Sequence, residues 1–443
     1  MATAREIAML TLAACERQGA WSDGHLKRML KEAHLDSRDA GLATRLCFGV
    51  LQNKILIDLH LKSFCHTPLE KLDLKVLCSL RIAVYQLLFL DKIPFSAAVN
   101  EAVNMTKKHC RNPRAAGMVN GILRSILRQE EMPYPDVSDE VERLSVAYSH
   151  PRWLVEEFIG TLGAEAAEAL LAADNEQPPI TAQVNTCKAT VKQVKEMLEA
   201  EGVTVQRHPI LPDCLILTET GNIEQLQAFR EGLFYIQDCA AKLAVSAAKL
   251  QPDMRVLDCC AAPGGKSFAA AIDMKNRGEV ISCDIHEHKI RILDAGKERL
   301  GLSIVSPMLH SATEFNEKWV GGFDVVITDV PCSGLGIIRK KPDIRYKDPA
   351  PLTGLPRVQA SILENCSKYV KPGGTLIYAT CTLLRRENED IVFDFLSSHS
   401  DFYPESLNLP VNGGGQQMLT FWPHVHGTDG FFVARLCKKE EAF

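Results

Sequence analysis

Reduced to apolar and polar positions, the chain changes its period twice. Over residues 1–130 apolar positions recur every three or four residues, as in AAVNEAVNMTKKH (97–109) and AAGMVNGILRSILR (115–128), with no strand-like alternation. That predicts an all-helical domain, in which DKIPFS (91–96) breaks the pattern and Ser96 caps the next helix. EEMPYPDVSDE (130–140), with two prolines and a cluster of acids, places a linker at 131–144. Between 145 and 235 the period becomes mixed. ITAQVNT (180–186) and CLILTET (214–220) alternate like strands, and TVKQVKEMLEAEG (190–202) is an amphipathic helix ending on Gly202. A small α+β, RRM-like domain is expected there.

From residue 236 to 443 apolar strands alternate with helices. MRVLDCC (254–260), EVISCDI (279–285), DVVITDV (324–330) and GTLIYAT (374–380) read as buried strands. KSFAAAIDM, HKIRILDAGKERL and VQASILENCSKYV supply the intervening helices. Repeated units of this kind build an α/β fold with a parallel sheet. The tail, with QMLTFWPHV (417–425) and GFFVARLC (430–437), has two strand-like runs and no helical pattern between them, so it closes the sheet as an antiparallel hairpin. This is the architecture of a Rossmann-like methyltransferase, although the pattern alone admits other doubly wound folds.

Composition narrows the class. Hydrophobic content of 46% and charged content of 24% suit globular domains. No run of eighteen apolar residues suggests a membrane span, and Arg5 and Glu6 interrupt the apolar start, so no membrane and a cytoplasmic location are expected. Fifteen cysteines without a C-x-x-C pair imply neither a disulfide framework nor a zinc site; no metal is expected, and most of them read as buried hydrophobes. Residues 1–128 hold 19 Lys and Arg against 11 Asp and Glu, whereas the remainder is acidic. A basic module facing nucleic acid fits that asymmetry, and so does a solvated basic surface.

The stretch VLDCCAAPGGKS (256–267) resembles the end of a P-loop, but the glycine required five residues before Gly265 is Cys260. The dinucleotide fingerprint is also absent. A short glycine turn at a strand's carboxyl end permits close approach of a ligand. Asp284, nineteen residues after Gly265 and ending the second strand, is placed either to accept ribose hydroxyls or to cap the next helix. A glycine turn with a ribose-binding acid and no phosphate cradle suits S-adenosylmethionine.

Two further strands end in ITDVPCSG and IYATCT, which brings Asp329, Cys332 and Cys381 to the same sheet edge. Methylation of cytosine C5 needs such a set. A thiolate adding to C6 makes C5 enamine-like, C5 takes the methyl group, and loss of the C5 proton expels the thiolate. An acid near N3 and N4 stabilises the charge formed on addition.

With DCCAAPGGK, DVPCSG, YATCT and DGFFVARL, residues 254–437 resemble the RNA cytosine-5 methyltransferase superfamily. The flanking YSHPRWLVEEF and GLFYIQDCAAKLA fit the same family, and the helical start is similar to a NusB-like RNA-binding domain. The combination resembles the RsmB (Sun/Fmu) family, which acts on 16S ribosomal RNA. The resemblance implies Cys381 as nucleophile and Cys332 as the residue assisting product release. It implies that Cys260, Ala261, Ala262, Pro263, Gly264, Gly265 and Lys266 line the S-adenosylmethionine site. Asp284 then holds the ribose, and Asp329 lies between cofactor and base. Two departures stand out: His310-Ser311 replaces the family's Gly-Asp, and Gln183-Val184-Asn185 replaces Arg-Val-Asn.

GIIRKKPDIRYKDP (336–349) carries Arg339, Lys340, Lys341, Arg345 and Lys347 beside the Pro-Cys motif and is expected to hold RNA phosphates. A monomer acting on 16S ribosomal RNA is the reading. The alternatives are a tRNA substrate, a non-catalytic RNA-binding or assembly protein on the same scaffold, and a P-loop nucleotidase.

Overall fold

The computed structural model describes residues 2–18, 21–110, 112, 114–129 and 138–440. Of the expected linker, residues 131–137 lie outside the described residues. The chain divides into two units: Met1–Glu176 with Ile338–Lys347, and Gln177–Ile337 with Asp348–Phe443.

The first unit is helical. Its centre is Leu74–Phe89, which Asp73 caps through Lys75 N and in which every residue from Val76 to Gln86 is buried. A helix surrounded on all sides must satisfy its polar groups internally. Arg81 does so with Nε and Nη2 on the two oxygens of Asp58, each at 2.7 Å, and Nη1 on Glu16 at 2.7 Å. The helix after the DKIP break runs Phe95–His109 with Pro94 in the capping position, so Ser96 lies inside the helix and is not its cap. Proline's fixed φ starts the turn without a side-chain acceptor. Glu140–Tyr148, Arg152–Leu162 and Ala164–Ala173 complete this unit.

The segment 338–347 also belongs to the first unit, and that corrects the phosphate-binding expectation for Arg345. Its guanidinium is fully buried. Nη1 donates to Asn175 Oδ1 at 2.9 Å and to the carbonyls of Tyr148 and Ser149 at 3.2 and 3.3 Å, and Nη2 donates to the Asp174 carbonyl at 3.3 Å. Tyr346 anchors the same segment through Leu51 O at 2.7 Å. Lys341 and Lys347 lie over the ring of Trp21. A planar fork of donors matches a cluster of carbonyls better than a lysine would.

The second unit opens with an antiparallel sheet in the order β2-β3-β1-β4, from β1 (Ile180–Val184), β2 (Thr204–Arg207), β3 (Cys214–Thr218) and β4 (Phe234–Ile236). The helix Val191–Ala200 packs on it, opened by a Thr190/Gln193 capping box. Gln183 and Asn185, two residues of the Gln-Val-Asn departure, are both buried. Asn185 Nδ2 donates to Gly232 O at 3.1 Å and Leu300 O at 2.8 Å, tying this sheet to the rest of the unit.

The larger sheet follows the expected alternation: β5 (Arg255–Asp258), β6 (Glu279–Asp284), β7 (Val305–Leu309), β8 (Phe323–Asp329) and β9 (Val370–Thr380) are parallel, in the order β9-β8-β5-β6-β7. β12 (Phe431–Lys438) runs antiparallel to β9, and β10 (Phe402–Pro404) and β11 (Met418–Phe421) pair antiparallel with β12. Helices cover both faces, so Val326, Leu376, Tyr378 and Phe432 have essentially no exposure. Each such side chain contributes about 1.5–3 kcal/mol of burial. The chain leaves β5 toward β6 and β7, then returns to β8 on the other side of β5. Ligand sites form at such a reversal, outside the carboxyl ends of the strands.

Candidate active site

Five strand ends meet at that edge. Asp258 ends β5 with its carboxyl fully buried: Oδ2 accepts from Ser267 Oγ at 2.7 Å, and Ser282 Oγ in turn donates to Ser267 Oγ at 2.8 Å. Asp258 Oδ1 has no hydrogen-bond partner, and burial pushes the carboxyl up to about 6. The turn that follows folds tightly because Gly264 sits at φ 114°, where a Cβ would lie 2.4 Å from the Phe268 ring. It delivers Lys266, at the start of the helix Gly265–Asp273, to Asp329 at the end of β8. Lys266 Nζ donates to Asp329 Oδ2 at 2.6 Å. Burial works against the ammonium's charge, but Asp329 and Asp258 more than offset it and hold Lys266 above the usual lysine value.

A cavity of about 710 Å³ opens here, a size that suits a nucleoside-containing ligand. Ala261, Ala262, Pro263, Gly265, Lys266, Asp258 and Asp329 line it, together with Gln237 and Ile292; Cys260 and Gly264 do not. Asp284 ends β6 outside that lining. Its Oδ1 accepts from His286 N at 3.0 Å and its Oδ2 from Lys289 Nζ at 3.4 Å. The cap of the helix Glu287–Leu300 is His286, so Asp284 braces the turn before the helix. Ser311 bonds Thr313 Oγ1 at 2.8 Å, and His310 packs edge-on against Trp319 with ring centroids 4.7 Å apart.

The sulfurs of Cys332 and Cys381 are 3.2 Å apart. Their hydrogen bond, burial and the nearby carboxylates of Glu387 and Asp329 push the Cys332 thiol well above its usual value. Backbone contacts set this spacing. Gly336 N donates to Cys381 O at 2.9 Å, and Gly430 N donates to Gly336 O at 2.7 Å. The DGFF motif is therefore the far side of the cysteine turn. Asp238 of the QDCAA motif holds it in place, accepting from Asp429 N at 3.2 Å. After Cys381, Asn388 Oδ1 accepts from Thr380 Oγ1 at 2.6 Å and Asn388 Nδ2 donates to Thr382 O at 3.0 Å, pinning both sides of the nucleophile candidate.

The sequence reading brought out Cys332, Cys381, Asp329 and the 260–266 turn, and the structure brings their side chains and backbone to one edge. It missed Asp258, Glu387, Gln359, Asn388 and the Gly336–Gly430 bridge. Asp258 alone had a local signal, as a polar residue ending a buried strand.

Comparison with known proteins shows the family. The 16S rRNA methyltransferase RsmB/F profile matches residues 245–437, the NusB family profile 2–128, and a Methyltr_RsmF/B-like ferredoxin-like domain 150–224. The chain is 39% identical to the probable ribosomal RNA small subunit methyltransferase B of Bacillus subtilis (strain 168), over 98% of each chain. It is 30% identical, over 91% of each chain, to the ribosomal RNA small subunit methyltransferase B of Klebsiella pneumoniae. The crystal structure of PH0851 superposes with a TM-score of 0.84 at 28% identity, covering 98% of this chain and 99% of that one. A methyltransferase homolog from Pyrococcus horikoshii superposes at 0.58 with 26% identity, covering 68% of this chain and 100% of that one. With matched relatives spanning nearly its whole length, the chain belongs to the ribosomal RNA small subunit methyltransferase B family, and it is an S-adenosylmethionine-dependent RNA methyltransferase.

Proposed function

We propose that this protein methylates C5 of a cytosine in small-subunit (16S) ribosomal RNA through a covalent bond between Cys381 and C6. The observation that carries the reading is the pair of sulfurs 3.2 Å apart at the sheet edge that also holds the Lys266–Asp329 pair.

The residues of the cavity fit the cofactor. Asp258 Oδ1, buried and without a hydrogen-bond partner, would accept from an ammonium such as that of the methionine moiety. Asp329 would add negative charge toward a sulfonium, and the turn from Cys260 to Lys266 would allow close backbone approach. Asp284, which the family resemblance assigns to the ribose hydroxyls, ends β6 outside the cavity lining with its oxygens on His286 N and Lys289 Nζ, so it would have to exchange one of those bonds to hold the ribose. When bound, S-adenosylmethionine supplies a methyl group made electrophilic by its positive sulfur.

The chain's own residues do the rest. Cys381 adds as thiolate to C6, which raises electron density at C5. Asp329, at the sheet edge with its carboxylate held by Lys266, would accept a hydrogen bond from the N4 amino group and so help to orient the ring. Once C5 carries the methyl group, its proton passes to a base as the C6–sulfur bond breaks and Cys381 leaves as thiolate. Cys332 is the residue assigned to that release: bonding of Cys381 to C6 removes the sulfur partner that holds Cys332 protonated, so Cys332 can ionise and take the C5 proton. A cytosine in a stacked helix cannot meet these groups, so the target is an unstacked base in a loop or a partly unfolded region. The NusB-like helical unit favours ribosomal RNA over tRNA.

Unmodified small-subunit RNA and methyl-labelled S-adenosylmethionine test the reading. Cys381→Ser is expected to abolish methyl transfer, and Cys332→Ala to complete one transfer and remain bound to the RNA. Full activity of Cys381→Ser overturns the mechanism, and preferential methylation of tRNA overturns the substrate.

A further inference from the structure

Behind the two cysteines lies a carboxylate that the mechanism above does not use. Glu387 is fully buried, and no cation pairs with it among the described residues. Its Oε2 accepts from Ser333 N at 2.9 Å and from Gln359 Nε2 at 2.8 Å, while Oε1 has no hydrogen-bond partner. A buried carboxylate without a counter-ion is costly to fold around, and a group kept at such cost usually serves the site it adjoins.

Its contacts show which site that is. Ser333 follows Cys332 directly, and its hydroxyl shares a 2.6 Å hydrogen bond with Thr382, which follows Cys381. Gln359 also donates to Pro331 O at 3.0 Å, so one side chain holds the backbone ahead of Cys332 while Glu387 holds the backbone behind it. The Glu387 carbonyl accepts from Tyr378 OH at 2.6 Å on β9, the strand that ends in Cys381. Glu387 thus reaches the Cys332 turn through its side chain and the Cys381 strand through its main chain. The charges around the thiols are arranged asymmetrically. Glu387 holds the backbone of the Cys332 turn, whereas Cys381 is among the groups whose charge favours the Lys266 ammonium.

We propose that Glu387 is a positioning residue that makes the two cysteines unequal. It clamps the Cys332 turn through Ser333 and puts an uncompensated negative charge on that side of the pair, which leaves Cys381 as the sulfur that reacts. This rests on the division of roles between Cys381 and Cys332 proposed above. Cys332 is faced by Cys381, Glu387 and Asp329, and Lys266 is the cation held by Asp329.

The test is thiol labelling by iodoacetamide in the full chain without RNA, read by peptide mass spectrometry over a pH series. In the wild-type protein Cys381 is expected to label at lower pH than Cys332. Glu387→Gln keeps an acceptor for Ser333 N and removes the charge. It is expected to move labelling toward Cys332 and to lower kcat at least tenfold, with the KM for S-adenosylmethionine unchanged. Wild-type labelling of Cys332 first, or an unchanged labelling ratio and kcat in Glu387→Gln, overturns the proposal. The wild-type measurement stands even where the variant does not fold. Full activity of Cys381→Ser, by contrast, sinks the proposed mechanism whatever the labelling shows.

Discussion

Gly336→Ala tests how strictly the two cysteine turns are held. A Cβ at Gly336 would lie 2.0 Å from Gly430 O, 2.5 Å from its carbonyl carbon and 2.9 Å from Cys381 O. All three are backbone atoms, so no side chain can swing aside. The backbone itself must move, and the bonds at risk are Gly430 N to Gly336 O and Gly336 N to Cys381 O, 2.7 and 2.9 Å long. Overpacking costs about 1–3 kcal/mol and each of the two lost hydrogen bonds about 1 kcal/mol, so about 3–5 kcal/mol of stability is expected to disappear. Catalysis is expected to suffer more. A displacement of about 1 Å at a reacting group costs on the order of 100-fold in rate, and Cys381 is the residue whose carbonyl is pushed. The assay is single-turnover methyl transfer alongside S-adenosylmethionine binding, because none of the cavity's lining residues is touched and binding is expected to persist. Gly354→Ala is the control, since a Cβ there meets nothing within 4 Å. Wild-type turnover and melting in Gly336→Ala would show that the glycine bridge does not set the cysteine geometry.

Asp258 gives a pH-dependent prediction. Its carboxyl is raised in the folded state from 3.8 to about 6, so the unfolded chain releases its proton first, and stability falls as pH rises through that window. Asp258→Asn is expected to be more stable than wild type at pH 8, by up to about 3 kcal/mol, with the gain gone by about pH 4. Denaturation across pH checks this, and an equal gain at both ends contradicts it. The same variant is expected to bind S-adenosylmethionine more weakly by calorimetry. Arg345→Met leaves carbonyls of the first unit without their donor and is expected to cost about 3 kcal/mol, seen by thermal melting followed by circular dichroism. A melting curve identical to wild type refutes the structural role assigned to that arginine.

Much of the large sheet was legible because its strands are short apolar runs bounded by glycine, proline and charge, the pattern expected of strands buried on both faces. Asp329, Cys332 and Cys381 stood out for the same reason: polar or reactive residues follow immediately where a buried strand stops. Other features depend on partners far along the chain. Arg345 reads locally as one more surface cation in a basic run, and only the carbonyls of Tyr148, Ser149 and Asp174 make its burial tolerable. Ser96 failed as a cap because Pro94 had already fixed the helix start. Glu387 looks like an exposed acid beside two arginines, yet it is the buried end of a network reaching back to Ser333. Gly336 and Gly430 each carry a local turn signal, but their mutual contact crosses the sheet edge and leaves no trace in spacing.

The most direct test of the account is to isolate the complex that Cys332→Ala forms with unmodified small-subunit RNA, digest both components and locate the nucleotide by mass spectrometry. The predicted result is a C5-methylated cytosine joined to the peptide containing Cys381. A nucleotide joined to any other residue, or no covalent complex under conditions where wild-type protein methylates the RNA, would contradict it.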